Sequence, residues 1–107
     1  MKVINRIKES KDFGITINNG KSYRLPSFLV FVNKNEFGYT RVGLSVSRKL
    51  GCAVVRNRVK RQVRAMCDSS IDYNARGLDI VIIVRNPFLS REFNNNKSQL
   101  SDCLKGL

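Results

Sequence analysis

The sequence predicts an α+β fold, an α/β sandwich in which helices cover a small sheet, and three observations predict it. Residues 78–85, LDIVIIVR, are almost continuously apolar, the pattern of an interior strand buried on both faces. Two shorter segments, residues 27–33 and 41–47, carry strand signals. Two stretches, about residues 53–68 and from Ser90 onward, repeat their apolar residues at the helical period instead.

The first element, residues 10–20, reads two ways. Phe13, Ile15 and Ile17 alternate like a strand, and Gly14 with the β-branched residues favours that reading. Phe13 and Ile17 also share a helical face, with Ser10 placed as a cap and Gly20 as a terminator. Residues 27–33, SFLVFVN, are short and rich in Phe and Val. They put Leu29 and Phe31 on one face, opposite Phe28, Val30 and Val32, and a turn follows over 33–38. In residues 41–47, Val42, Leu44 and Val46 form an apolar side and Arg41, Gly43, Ser45 and Ser47 a small, polar, cationic one.

After a turn at 48–51 comes the helix at about 53–68. At 100° per residue, Val55, Val59, Val63 and Met66 fall within a quarter of its circumference and form its buried stripe. The strand at 78–85 belongs at the centre of the sheet. In the last helix Phe93, Leu100, Leu104 and Leu107 recur at helical spacing, with Cys103 beside them.

A chain of 107 residues supports one hydrophobic core, so a single domain over 1–107 is expected. Its 42% apolar and 26% charged residues are near globular averages, and its longest apolar run, 80–84, is far too short to span a bilayer. No charged start followed by a long apolar segment opens the chain, so a cytoplasmic protein is expected. Cys52, Cys67 and Cys103 form no C-x-x-C pair and have no histidine to complete a zinc site, so reduced thiols and no zinc are expected.

Charge is the outlying property. Twenty Lys and Arg against eight Asp and Glu give +12 and a pI near 10.3, and between Asp12 and Asp68 the only acid is Glu36. A small domain so basic points to a polyanionic partner. Catalysis by side chains is hard to assemble without a histidine or a carboxylate cluster, so neither catalytic nor metal-ligating residues are expected. Phosphate-binding glycine loops are missing too.

The densest cationic stretch is Arg56 to Arg64, RNRVKRQVR. Lys60, Arg64, Asn57 and Arg61 cluster opposite the buried stripe, flanked by Arg56 and Arg58. A solubilising helix face usually mixes Glu with Lys, whereas here Arg56/Lys60 and Lys60/Arg64 repel at i,i+4. Four of the five cations are arginines, whose planar fork grips phosphates and stacks on bases. Nucleic-acid binding follows from that pattern. Phe13, Ile17 and Phe31 fit either a core or the wall of a groove in which single-stranded RNA stacks.

Residues 41–64, RVGLSVSRKLGCAVVRNRVKRQVR, closely resemble the signature of the bacterial ribonuclease P protein subunit: an R-V-G-x-S-V-S-K/R-K strand, a glycine, then A-V-x-R-N-R-x-K-R-x-x-R. Weaker resemblance runs from Arg6 and Asp12-Phe13 through Gly20 and Asp79-Ile80-Val81 to Arg85-Asn86-Pro87. The resemblance implies the order α-β-β-β-α-β-α with a left-handed βαβ crossover, the ribosomal protein S5 domain 2-like fold, against the usual handedness. It also implies a helix at 10–19.

In that family a catalytic RNA, using bound Mg²⁺, removes the 5′ leader from precursor tRNA, and the protein is its non-catalytic subunit. The resemblance therefore implies two partners, catalytic RNA and precursor tRNA, with Mg²⁺ held mainly by the RNA and no membrane. It assigns Arg56, Asn57, Arg58, Lys60, Arg61 and Arg64 to the catalytic RNA. Phe13, Ile17 and Phe31 are assigned to a leader-binding cleft, with Ser45, Ser47, Arg48 and Lys49 at its rim. The chain departs from the common pattern at Ile17, often aromatic in relatives, at Phe31, frequently tyrosine, and at Cys52, commonly asparagine. Competing readings are a ribosomal or general RNA-binding structural protein, a protein-only nuclease and a cationic membrane-surface module.

Overall fold

The computed structural model describes all residues, 1–107. A short 3₁₀ turn, Val3–Asn5, precedes α1 (Ser10–Asn19), β1 (Lys21–Arg24), β2 (Phe28–Lys34) and β3 (Arg41–Ser45). A second 3₁₀ turn, Arg48–Leu50, leads to α2 (Ala53–Ser70), then β4 (Leu78–Val84), α3 (Pro87–Ser90) and α4 (Phe93–Lys105). No helix is long and apolar enough to cross a membrane.

The four strands lie in the order β1-β2-β4-β3. The continuously apolar strand is therefore interior, as its sequence demands, antiparallel to β2 and parallel to β3. Because β3 and β4 run parallel, the chain must cross over between them, and α2 makes that crossover. The free edge of β3 is covered by the N-terminal segment, where Arg6 bridges to Val42 and the Ile7 amide donates to the Val42 carbonyl at 3.0 Å. Covering an edge removes a row of unpaired amides that would otherwise template aggregation.

Register divides the sheet into two faces. Phe28, Val30, Val42, Ile80, Ile82 and Val84 face the core, where they meet Val59, Val63, Met66 and Cys67 of α2 and Leu100 and Leu104 of α4. Phe28 and Phe88 meet edge to face at 5.6 Å. The helical stripe expected on α2 is the observed one, except that Cys67 shares it and Val55 is only half-buried. On the opposite face α1 lies over β2 and β4, and Val81 beneath it is fully buried.

Residues 10–19 are helical, which decides between the two readings of that segment. The helix buries Thr16 and turns Ile15 out to solvent, away from the sheet. Ser10 is not the cap: Glu9 holds that position without a side-chain bond. Gly20 ends the helix where α1 turns into β1, and a Cβ there would lie 2.4 Å from the Thr16 carbonyl oxygen and 2.7 Å from that of Val32. Only glycine lets the two backbones approach so closely.

Four further expectations are corrected. The strand at 41–47 ends at Ser45, because the Ser47 hydroxyl accepts from the Lys49 amide at 3.2 Å and caps the 3₁₀ turn. The helix at 53–68 continues to Ser70. The chain after β4 forms the separate short helix α3 before α4 begins. Phe93, expected in the stripe of the last helix, is 43% exposed, and Asn96 is buried instead. Asn96 is accommodated because it accepts from the Ser27 hydroxyl at 2.6 Å and donates to the Phe88 carbonyl at 3.0 Å, so both polar atoms of its side chain are paired.

Replacing Gly20 with Ala is expected to lower stability by about 1–3 kcal/mol, because the new methyl meets backbone on both sides. Urea unfolding monitored by circular dichroism measures it, and an unchanged midpoint contradicts the close approach.

Candidate nucleic-acid interface

The polar arc of α2 carries the predicted cations. Asn57, Arg58 and Arg61 are exposed, and Arg56, Lys60 and Arg64 are half-buried along its flanks. None of them pairs with an acid, since the ion pairs of the molecule are Arg41 with Asp79 and Asp12, and the amino-terminal group with Asp68. Nineteen of the 20 Lys and Arg side chains thus lack a carboxylate partner, Arg41 being the exception. The Nε atoms of Arg6, Arg56 and Arg64 are buried without a hydrogen-bond acceptor. An unsatisfied buried donor costs about 1–3 kcal/mol.

Two of those three guanidinium groups open into one cleft. A cavity of about 320 Å³ between the N-terminal segment, β3 and α2 is lined by Arg6, Lys8, Lys60 and Arg64, with Phe13 and Leu44 among its apolar walls. Sequence reading placed Lys60 and Arg64 on the helix face but assigned no role to Arg6 or Lys8. Their convergence depends on the pairing of residue 6 with β3, which no local pattern announces.

The second group of predicted residues lies on the sheet face beneath α1. Phe31, Val81 and Gly43 form one row across β2, β4 and β3, and Leu29, Ile83 and Ser45 form the next. The Phe13 ring sits over Gly43, where an added Cβ would come within 2.5 Å of it. Ile17, one turn along the same side of α1, is 36% exposed. Phe31 shares the face but stands two strand spacings, about 10 Å, from Gly43. Ser47, Arg48 and Lys49 lie past the end of β3 in the 3₁₀ turn, all three exposed. The structure thus seats Phe13 on Gly43, one row from Ser45, with Ile17 further along α1, Phe31 across the sheet, and the other three at the rim.

Arg41 fixes this geometry. Its Nε donates to Asp79 Oδ1 at 2.9 Å and its Nη2 to Asp79 Oδ2 at 2.6 Å, a two-pronged grip across β3 and β4. Its Nη1 reaches Asp12 of α1 at 3.4 Å, and its guanidinium stacks 4.5 Å from the centre of the Phe37 ring. The Asn35 side-chain amide adds a third donor to Asp79 at 2.8 Å. No sequence periodicity marks Arg41 apart from the other cations.

Cys52 is exposed at the N-cap of α2. The amides of Val55 and Val54 at the helix start lower its thiol pKa, with Arg56 adding to the effect. Burial pushes Cys67 up to about 12 and also raises Cys103. No three His, Cys, Asp or Glu side chains come together as a group that could hold a metal ion.

A basic α+β domain with one arginine-rich helix that no acid of the chain neutralises and a half-open sheet face has the charge and shape that suit a polyanion. The comparisons with known proteins make it specific: the chain belongs to the ribonuclease P protein family, whose model, described as Ribonuclease P, matches residues 1–107. The ribonuclease P protein component of Bacillus cereus is 41% identical over 106 residues, covering 98% of this chain and 92% of that one. The Mesoplasma florum component is 38% identical over 96 residues, covering 89% and 87%. Among solved structures, the RNase P protein of Staphylococcus aureus superposes with a TM-score of 0.82 at 34% identity, covering 94% of this chain and 93% of that one. The Thermotoga maritima protein gives 0.81 at 33%, covering 95% and 96%.

Two outcomes follow from this geometry. Asp79→Ala is expected to cost about 3 kcal/mol, since it strips a largely buried guanidinium of its main partner. A double-mutant cycle with Arg41→Ala should return a coupling of about 1–3 kcal/mol, and a coupling near zero contradicts the pairing. In the native protein, iodoacetamide should modify Cys52 first and at a lower pH than a free thiol requires, because its thiolate fraction is larger at any given pH. Cys67 should stay unmodified until the protein unfolds, as peptide mass mapping would read.

Proposed function

We propose that the chain is the non-catalytic protein subunit of ribonuclease P, an endoribonuclease that forms the mature 5′ end of tRNA. Its α2 face docks the catalytic RNA, and the cleft between α1 and the sheet holds the single-stranded 5′ leader of precursor tRNA. One observation carries this reading above all: the cations of α2 have no acidic partner, and the Nε atoms of Arg56 and Arg64 lie buried without an acceptor. A phosphate backbone supplies the negative partners these cations lack and offsets the mutual repulsion of Arg56, Lys60 and Arg64.

The mechanism follows from charge and stacking. Binding between two polyanions, the protein lowers their repulsion, so the complex forms at lower Mg²⁺, with the ion itself held mainly by RNA. Arg58 and Arg61, exposed on the helix, reach phosphates directly, and Asn57 beside them offers both a donor and an acceptor. In the cleft Phe13 supplies the stacking surface, worth about 1–3 kcal/mol per base. Ile17 and Phe31 widen it with apolar contact, and Ser45 faces it from β3. Past the strand end, Arg48 and Lys49 meet the leader's phosphates, while the Ser47 hydroxyl is engaged in capping. We place this work in the cytoplasm, where precursor tRNA is made.

Cleavage of a 5′-extended precursor tRNA by the partner RNA at low Mg²⁺, with and without the protein, tests the reading. Stimulation is expected, and none at any salt concentration overturns it. Arg56→Ala and Arg61→Ala should each reduce the slope of log affinity for the catalytic RNA against log salt by about one. Phe13→Ala should weaken precursor binding about tenfold while mature tRNA binds as before, in a filter-binding comparison of the two.

A further inference from the structure

Helix α2 has a second cleft on the flank opposite Lys60 and Arg64. Arg58 and Gln62, one turn apart, form one wall of a cavity of about 250 Å³, and Leu89, Arg91 and Phe93 form the other. Leu89 in α3 is 47% exposed and Phe93, the first residue of α4, 43%. The floor is rigid: Asn96 is locked between the Ser27 hydroxyl and the Phe88 carbonyl, and Phe88 packs on Phe28.

The polar rim is unspent. Neither Arg58 nor Arg91 has an acidic partner, and the Gln62 amide makes no hydrogen bond within the protein. Glu92, next to Arg91 in the chain, does not line the cavity. An exposed aromatic ring, two guanidinium groups and one amide suit a planar ligand with a hydrogen-bonding edge and a negative charge. The geometry points to a pocket for a single unpaired nucleotide: its base against Phe93 and Leu89, its edge on Gln62, its flanking phosphates on Arg58 and Arg91. Arg58 belongs to both this cleft and the proposed dock, so the nucleotide comes from the same RNA. In that respect the inference rests on the proposed function.

The test uses the full chain and the partner RNA transcribed from the same genome, with affinities measured across a range of salt. Phe93→Ala should bind about tenfold more weakly with its salt slope unchanged, and Phe93→Tyr should restore wild-type affinity. Arg91→Ala should reduce the slope by about one. Thermal unfolding at the wild-type midpoint shows that each variant is folded, and the exposed Arg91 provides a readout even if Phe93→Ala is not. A photoreactive benzoylphenylalanine at position 93 should crosslink to one nucleotide. If the wild-type chain does not bind this RNA, the proposed function fails. If it binds and Phe93→Ala and Arg91→Ala bind equally well, the pocket alone is overturned, and the patch is left to an acidic protein partner.

Discussion

Arg41 is the one Lys or Arg side chain that pairs with carboxylates of the protein itself. By gripping Asp79 with two nitrogens and reaching Asp12 with a third, it ties β3, β4 and α1 into one unit. The interaction sets the seat of α1 on the sheet, and with it the Phe13 ring over Gly43. Were the pair absent, a largely buried aspartate and a largely buried arginine would each lack their main partner, a costlier arrangement than leaving either in water. The open sheet face exists because α1 is held at one end of it and does not cover the other.

No other Lys or Arg side chain has a carboxylate partner, and that has an energetic consequence. Like charges one turn apart on α2 weaken the helix by a few tenths of a kcal/mol per pair. The burial of Val59, Val63, Met66 and Cys67 against the sheet stabilises it by far more, so packing carries a helix whose outer surface is electrostatically unfavourable. The division of labour along α2 is by angle: the inner arc holds the fold, and the outer arc is free to meet a polyanion. Two clefts flank that outer arc, one lined by Lys60 and Arg64, the other by Arg58 and Gln62. A helix presented this way can meet an RNA with a ridge and two recesses, a more selective shape than a uniform positive surface.

The cysteines show how the same side chain takes its chemistry from its position. Cys67 sits in the core and is inert, while Cys52 at the start of α2 faces backbone amides that favour its thiolate.

The sequence alone determined the elements whose signal is local. The apolar run of β4, the stripe of α2 and the cationic arc opposite it are periodic patterns that burial must respect, and the structure follows them. Residues 10–19 were not decidable by periodicity, because an apolar residue at every second position fits a strand and, at every fourth, a helix. Tertiary packing chose the helix, since a helix seats Phe13 on the sheet while freeing Ile15, two residues on, which a strand would place on the same face. Only the tertiary structure decided which cation is internal, that Arg6 and Lys8 join Lys60 and Arg64 in one cleft, and that Phe93 faces outward beside Arg58 and Arg91. These facts depend on strand order and on chain segments far apart in sequence, and no spacing within one segment encodes a neighbour brought from another.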